Sequence, residues 1–389
     1  MAEKKLLPPE VSASERTWNH ELAPPLLMMG VPIDQVTCEQ TISIVDQMVQ
    51  SKRSHMIATA NLDFLALVQE DDQLQQALIE SDLVLADGMP LIWMSKLLGD
   101  PLPERVAGSD MVPRMLGLAE AKGYRIFFLG GKEEVIHAAE QNIRKKWPEL
   151  QIAGMYSPPF APLEQMDHAS ICQRIKESQT DLLFVSFGCP KQEKWMAMNF
   201  RELGVPVSIG VGATIDFLAG TVKRAPVWMR KTGLEWVYRT CQEPKRLAKR
   251  YWKDICVVLP GLFKQYKNYK EPSPNSINQP STTSKIDVTS THQVITLPSR
   301  MDALAARDES LWTQSSSKHV IIDAQSTEFI DSTGTGKIIR FARGAQELGG
   351  TCFLVGAQQS VLKSLEMMRL RSKFVEANSL QEALNQINS

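Results

Sequence analysis

The chain has 389 residues, of which 43% are hydrophobic and 22% are charged, and its formal net charge is −1. This length is too great for one ordinary core, and the balanced charge excludes bulk attraction to nucleic acid. The N-terminus lacks the apolar core of a signal peptide, and no apolar run is long enough to cross a bilayer. The six cysteines are scattered, so we expect reduced thiols in a cytoplasmic protein.

The pattern of apolar residues predicts an α/β fold. From Met28 onward short apolar runs alternate with amphipathic helices, which predicts a layered, mostly parallel sheet with helices on both faces. The candidate strands are Met56–Ala60, Leu83–Ala86, Arg125–Leu129, Ile152–Met155, Leu182–Phe187 and Val207–Val211. Beyond residue 292 further strands alternate with helices, which predicts a small second α/β domain.

Composition sets the predicted domain boundaries. Residues 221–270 contain 13 Lys and Arg against three Asp and Glu, a local charge of +10. The next segment is rich in Pro, Ser, Asn and Thr, which is typical of a linker. We predict a loose leader (1–27), a sheet domain (28–220), a basic helical appendage (221–270), a linker (271–292) and a second domain (293–389).

Asp87 is the first candidate for chemistry. It directly follows the apolar run Leu83–Ala86 and precedes Gly88, so it lies at the carboxyl end of a predicted strand. In open α/β sheets this edge binds ligands. Alternatively, Asp87 caps the helix that starts near Pro90, and this stretch alone favours neither interpretation.

Two more strand ends carry weaker signals. Thr59 and Asn61 follow one strand and could line the same site, although capping of the helix from Leu62 is favoured on that motif alone. Gly130 and Gly131 connect another strand to a helix. They could turn backbone N–H groups towards a diphosphate, or they could serve only the conformation of the turn.

A polar cluster and an arginine complete the candidates in the sheet domain. Lys191, Gln192 and Glu193 occupy the first turn of a helix after a buried strand, where they can reach a sugar or a phosphate; a solvated helix start is the less favoured alternative. Arg105 lies in a loop and can clamp a diphosphate, or form a surface salt bridge. The histidines are isolated, so we predict neither a metal nor a cofactor.

The basic appendage combines aromatic and cationic residues. Its tryptophans are interleaved with arginines that include Arg224, Arg230 and Arg239. This composition suits an anionic membrane surface or a lipid diphosphate, with some of the aromatic side chains partly in the core. It would also suit RNA, but we rank that last and predict no nucleic-acid partner.

Seven separated motifs resemble one family. They are T-A-N, A-D-G-M-P, R-V-A-G-S-D, F-L-G-G, G-C-P-K-Q-E-K-W, G-V-G-A-T-I-D-F-L-A-G and R-A-P-V-W-M-R-K-T-G-L-E-W-V-Y-R. Their order and spacing resemble those of the WecG/TagA/CpsF glycosyltransferases from roughly Met28 to Tyr269. The resemblance implies inverting, metal-independent transfer of an N-acetylmannosamine-type sugar from UDP to undecaprenyl-diphosphate-linked GlcNAc. It also implies that the protein acts in cell-surface polysaccharide synthesis and that it is a peripheral protein at the inner face of the bacterial membrane.

The resemblance also implies roles for single residues. Asp87 would be the general base for the acceptor hydroxyl, and Thr59 and Asn61 would line its pocket. Arg105 would hold a diphosphate, and Gln192 would contact the sugar. The basic appendage would close over the site and dock on the membrane.

The last domain carries a second resemblance. The motif F-I-D-S-T-G-T-G is similar to that of STAS domains in anti-sigma-factor antagonists. By position, Thr333 would accept a phosphate, with Ser332 beside it, and a protein partner or kinase would act there. Alternatively, both residues only cap a helix in a plain docking module.

The main alternative for the whole chain is a catalytically inactive scaffold whose STAS-like tail recruits a regulatory partner. Retention of every polar strand-end motif favours the enzyme.

Overall fold

The computed structural model describes residues 22–270, 286–289, 291–307 and 317–388. It contains two compact units. The large unit is Ala23–Pro272, and the small unit contains the described part of Ser273–Ser389. Most of the predicted leader and linker lies outside the described residues.

The large unit is built on a parallel sheet. Its described strands are β3 (His55–Ala60), β4 (Leu83–Ala86), β5 (Arg125–Gly130), β6 (Gln151–Tyr156), β7 (Leu182–Ser186) and β8 (Val207–Gly210), after a hairpin of β1 (Leu26–Met28) and β2 (Val31–Ile33). The order across the sheet is β4-β3-β8-β7-β5-β6, with all neighbours parallel. Each predicted strand corresponds to one observed strand, so the predicted fold class is confirmed. The hairpin was not predicted and begins at Leu26, inside the predicted leader.

Helices cover both faces of this sheet. They are α1 (Cys38–Ser51), α2 (Leu62–Leu67), α3 (Asp72–Glu80), α4 (Met89–Leu97), α5 (Gly108–Lys122), α6 (Glu133–Lys146), α7 (His168–Glu177), α8 (Lys191–Leu203) and α9 (Thr214–Ala219). Strands β3 and β4 are buried along their whole length, whereas the edge strand β6 is exposed or half-buried at every position. The uninterrupted apolar run of β4 is typical of a strand buried on both faces, and β3 is also buried although it contains His55 and Thr59.

The predicted appendage consists of three helices, α10 (Val227–Thr232), α11 (Glu235–Gln242) and α12 (Pro244–Lys270). Val258 and Leu262 of α12 are buried in the same hydrophobic cluster as Leu91 of α4. The Gln265 side chain donates to Leu27 O at 2.8 Å and accepts from Met29 N at 3.0 Å. The long helix is therefore integrated into the large unit by its core and by the hairpin backbone.

The tryptophan side chains of the appendage are exposed to solvent. Trp228, Trp236 and Trp252 are exposed by 60%, 40% and 71%. The expectation that part of the aromatic set is core does not hold for these three. Among the described residues, no helix is both long enough and apolar enough to cross a membrane.

The small unit has a second sheet. Its described strands are β9 (Ile286–Val288), β10 (His292–Thr296), β12 (His319–Asp323), β14 (Cys352–Val355) and β15 (Val375–Ala377), and a separate pair is formed by β11 (Arg300–Met301) and β13 (Phe329–Ile330). Its helices are α13 (Ala303–Arg307), α14 (Ser332–Glu347), α15 (Gln359–Met367) and α16 (Leu380–Asn388). The order is β15-β14-β12-β10-β9, antiparallel only at the β9 edge. Strand β9 lies inside the predicted linker.

Candidate functional site

A cavity of about 760 Å³ lies where the chain leaves the carboxyl ends of β3, β4, β7 and β8. That size is typical of small-molecule sites. The predicted site residues that line it are Thr59, Asn61, Asp87, Arg105, Gln192, Arg230 and Arg239. The sheet therefore brings together residues that are up to 180 positions apart in the sequence.

Asp87 is half-buried at the wall of this cavity. The N-cap residue of helix α4 is Gly88, and no side chain makes a capping hydrogen bond there. The interpretation of Asp87 as the helix cap is therefore wrong. Burial raises the pKa of Asp87 to about 6, Arg105 and Arg239 oppose this rise, and Glu235 adds to it. Its carboxylate can therefore take a proton near neutral pH, which is what a general base requires.

Thr59 and Asn61 are held by the backbone. The Thr59 hydroxyl donates to Gly210 O at 2.8 Å, which ties the end of β3 to β8. The Asn61 side chain accepts from Asp63 N at 3.0 Å and caps α2, so the favoured capping interpretation is confirmed for Asn61. Both residues also line the cavity. Capping and a place at the site therefore do not exclude each other.

Arg105 is held between two carboxylates. Its Nη2 lies 2.7 Å from Asp110 Oδ2 and its Nη1 lies 3.1 Å from Glu235 Oε2. The side chain is only 16% exposed, so these are not surface salt bridges. Asp110 lies in the first turn of α5, whereas Glu235 belongs to α11 of the appendage. The appendage thus contacts the predicted diphosphate clamp directly.

Asp110 also binds two arginines of the appendage. Its Oδ1 lies 2.9 Å from Arg224 Nη1 and 3.4 Å from Arg230 Nη1. Burial raises the pKa of the Asp110 carboxyl, but these guanidinium groups and Arg105 outweigh burial, so its pKa is below its usual value. Arg230 lines the large cavity, whereas Arg224 lines a smaller cavity of about 220 Å³. In the sequence Asp110 is recognisable only as a residue that opens a helix, and no pattern singles out Glu235.

The two glycines have a conformational role. Gly130 and Gly131 have φ values of +100° and +83°, in the region that favours glycine. A Cβ atom on Gly130 would lie 2.5 Å from Ser186 O. Neither glycine lines the large cavity. The structure therefore favours the conformational alternative for this turn.

The start of α8 is buried. Gln192 is 2% exposed, and its Oε1 accepts from Gly212 N at 3.1 Å while its Nε2 donates to Glu193 Oε1 at 2.6 Å. Glu193 is fully buried, which raises its pKa to about 7. The alternative of a solvated helix start is wrong for both residues. Lys191 donates to Ala161 O, and neither it nor Glu193 lines the cavity.

A carboxyl pair connects α2 to the appendage. Asp254 of α12 is 1% exposed. Burial raises its pKa to about 7, with the neighbouring Asp63 as the next cause. Asp63 and Arg250 both line the cavity, and the guanidinium lies 3.9 Å from the carboxylate. Arg250 and Asp254 are one helical turn apart on α12, which is the sequence signal that could have indicated a shared face.

In the small unit Ser332 and Thr333 are 3% and 1% exposed. The cap of α14 is Asp331, whose carboxylate accepts from Thr333 N at 2.9 Å and from Gly334 N at 2.8 Å. The interpretation of Ser332 and Thr333 as the cap is wrong, because the helix begins one residue after the aspartate. The phosphoacceptor assignment stays a prediction.

Comparison with known proteins supplies two family matches. Residues 26–272 match the model of the Glycosyl transferase WecG/TagA/CpsF family, and residues 283–383 match that of the STAS domain. Both predicted resemblances are thereby confirmed.

Two similar proteins carry the name N-acetylglucosaminyldiphosphoundecaprenol N-acetyl-beta-D-mannosaminyltransferase. The one from Bacillus subtilis (strain 168) is 35% identical over 226 residues, 57% of this chain and 84% of that protein. The one from Staphylococcus aureus (strain MW2) is 28% identical over 246 residues, 63% of this chain and 94% of that protein. These names agree with the predicted hexosyltransferase class.

Among solved structures, the unphosphorylated anti-sigma factor antagonist SpoIIAA matches at 22% identity. The match covers 27% of this chain and 96% of that one, with a TM-score of 0.24.

Proposed function

The chain belongs to the Glycosyl transferase WecG/TagA/CpsF family, and on that premise we propose that it transfers an N-acetylmannosamine-type sugar from a UDP-sugar to undecaprenyl-diphosphate-linked GlcNAc. The observation that carries the proposal is a half-buried carboxylate beside guanidinium groups in one cavity. The relatives' name supplies the sugars and the lipid. Such a reaction needs a base for the acceptor hydroxyl and positive charge for the leaving diphosphate, and the cavity offers a carboxylate and arginines.

Asp87 acts as the general base in this mechanism. It removes the proton from the acceptor hydroxyl while the hydroxyl oxygen bonds to the anomeric carbon of the donor sugar. The bond from that carbon to the UDP oxygen breaks on the opposite face, which inverts the configuration. One base is sufficient, because the leaving diphosphate needs cations rather than a second carboxyl group.

The reaction is metal-independent in this proposal. Arg105, Arg230, Arg239 and Arg250 line the same cavity as Asp87 and offer positive charge to diphosphate groups. Gln192, whose amide is fixed by Gly212 and Glu193, contacts the sugar substrate.

The appendage places the enzyme at the inner face of the membrane as a peripheral protein. Its local charge is +10, and Trp228 and Trp252 are more than half exposed beside it. Exposed tryptophans among basic residues bind anionic lipid surfaces. The small unit serves as a docking module or phospho-switch for a protein partner or kinase, which the STAS match supports.

A transfer assay tests the function. Purified protein should release UDP from UDP-N-acetylmannosamine only when a GlcNAc-diphospholipid acceptor is present. Asp87→Asn should lower the rate by about 10²–10⁴-fold, as expected for loss of a general base. The control Glu202→Gln changes an exposed carboxylate on α8 to an amide and should retain the rate. Full activity of Asp87→Asn would contradict the base assignment, and no UDP release from any UDP-sugar would favour the scaffold.

A further inference from the structure

One wall of the large cavity is apolar and is built from two helices. Helix α4 contributes Trp93, Met94 and Leu97, and α12 contributes Ile255, Val258, Leu259 and Leu262. Residues three or four positions apart lie on the same face of a helix. Each helix therefore turns one apolar face towards the cavity, and neither face contributes a charged group within these positions.

This apolar wall extends from the core to the solvent. Met94, Val258 and Leu262 are buried in one hydrophobic cluster, with exposures of 7%, 1% and 3%. Leu97 and Leu259, which line the same cavity, are 50% and 59% exposed. Large apolar side chains left in water at the mouth of a cavity indicate a binding surface rather than a packing surface. The ligand that binds against this wall must therefore contain a hydrocarbon portion.

The rest of the cavity indicates which hydrocarbon. Arginines 105, 230, 239 and 250 line it together with Asp87, so carboxylate, cations and apolar side chains share one enclosure. A ligand that matches all three has a hydroxyl-bearing head, a diphosphate and an aliphatic chain. A nucleotide-sugar donor has no aliphatic chain with which to cover the apolar wall.

We propose that the apolar wall between α4 and α12 binds the first isoprene units of the acceptor's polyprenyl chain, and that the chain leaves the protein past Leu97 and Leu259. This inference rests on the proposed function and extends it, because it makes the lipid a recognised part of the substrate. The enzyme then uses hydrocarbon next to the diphosphate to distinguish its acceptor from soluble sugar diphosphates.

Soluble acceptors of different chain length test this without a membrane. GlcNAc-diphosphate esters of methanol, of a one-isoprene and of a three-isoprene alcohol are compared below their aggregation concentrations, with no vesicles. Each buried methylene favours binding by about fourfold, so kcat/KM should rise by at least about tenfold from the methyl ester to the three-isoprene ester. The gain should arise in KM, because the chain lies away from the reacting atoms.

Variants at the mouth then locate the effect. Leu97→Ser and Leu259→Ser should each reduce the ratio of kcat/KM between the three-isoprene and methyl esters by about threefold to tenfold. The matched control is Met198→Ser, because Met198 is 58% exposed on α8 and does not line the cavity. The ratio is taken within each variant, so a general loss of activity cancels, and melting curves verify folding.

The outcomes separate the two proposals. Transfer to all three esters at equal kcat/KM overturns the chain-binding inference and leaves the proposed function intact. An unchanged ratio in both leucine variants also overturns it. Transfer to undecaprenyl-diphosphate-linked GlcNAc but to none of the three esters also overturns the inference and leaves the proposed function intact. Failure to transfer to the esters and to the undecaprenyl acceptor, with any UDP-sugar, overturns the proposed function and the inference with it.

Discussion

Replacing Asp87 by asparagine should have two opposite effects, a loss of activity and a gain in stability. Burial raises the pKa of this carboxyl from 3.8 to about 6, so the folded protein binds its proton more tightly than the unfolded chain does. Ionisation of Asp87 therefore destabilises the folded state as pH rises from about 4 to about 6. The penalty is complete above that range and absent below it.

The size of the gain follows from the two pKa values. Their difference corresponds to about 3 kcal/mol at pH 8 and to about half of that at pH 5. Asparagine has the same shape and no charge, so the free energy of unfolding of Asp87→Asn should exceed that of the wild type by up to these amounts. In the proposed mechanism this penalty is the stability that the fold gives up to hold the base in a partly buried site.

Urea unfolding followed by tryptophan fluorescence measures this difference. Six of the eight tryptophans lie in the large unit, so the signal reports mainly on that unit. The control Glu202→Gln should change stability little at either pH. If Asp87→Asn is no more stable than the wild type at pH 8, or if its advantage does not shrink at pH 5, the argument from burial is wrong.

Three further predictions follow from the charges. The native Glu235 side chain raises the pKa of Asp87, so Glu235→Gln should move the acidic limb of the pH–rate profile to lower pH by about 0.5–1 pH unit. The native Arg239 side chain lowers that pKa, so Arg239→Gln should move the limb to higher pH by about the same amount. Opposite directions, or no shift, would contradict this coupling. Asp110→Asn should destabilise the large unit by about 1–2 kcal/mol in urea and lower kcat/KM, since it leaves arginines without their carboxylate. In the small unit Thr333→Asp should cost about 2–4 kcal/mol by burying a charge, whereas Thr333→Ser should unfold at nearly the wild-type urea concentration.

The sheet and the strand-end candidates could be predicted because both follow from local patterns. Continuous apolar runs specify the buried parallel strands, and a polar residue directly after such a run lies at the ligand-binding edge. This rule predicts Asp87, which directly follows β4, while Gln192 is predicted from the helix start that follows β7, and both residues line the cavity. Gly130 was not distinguished from a ligand-binding glycine, because its close approach to Ser186 O depends on two strands 56 residues apart.

The sequence did not show which residues of the basic appendage turn inward. Glu235 is one of only three acids in residues 221–270, and a lone acid in a basic segment is usually solvated. Its contact with Arg105 crosses 130 positions and depends on how α11 packs against the sheet domain. Long-range ion pairs leave no periodic trace, so neither composition nor spacing could reveal this one.

The contact between Arg105 and Glu235 brings charges of the appendage close to Asp87, the proposed base. Glu235 raises the pKa of Asp87 while Arg239 lowers it, and both belong to α11. Movement of α11 away from the cavity would remove both influences and leave Arg105 paired with Asp110 alone. A diphosphate entering the cavity would compete with Glu235 for the Arg105 guanidinium, since both are anions that accept from it. In the proposed mechanism the pKa of Asp87 would therefore depend on the docking of α11, and diphosphate binding at Arg105 would be coupled to that pKa.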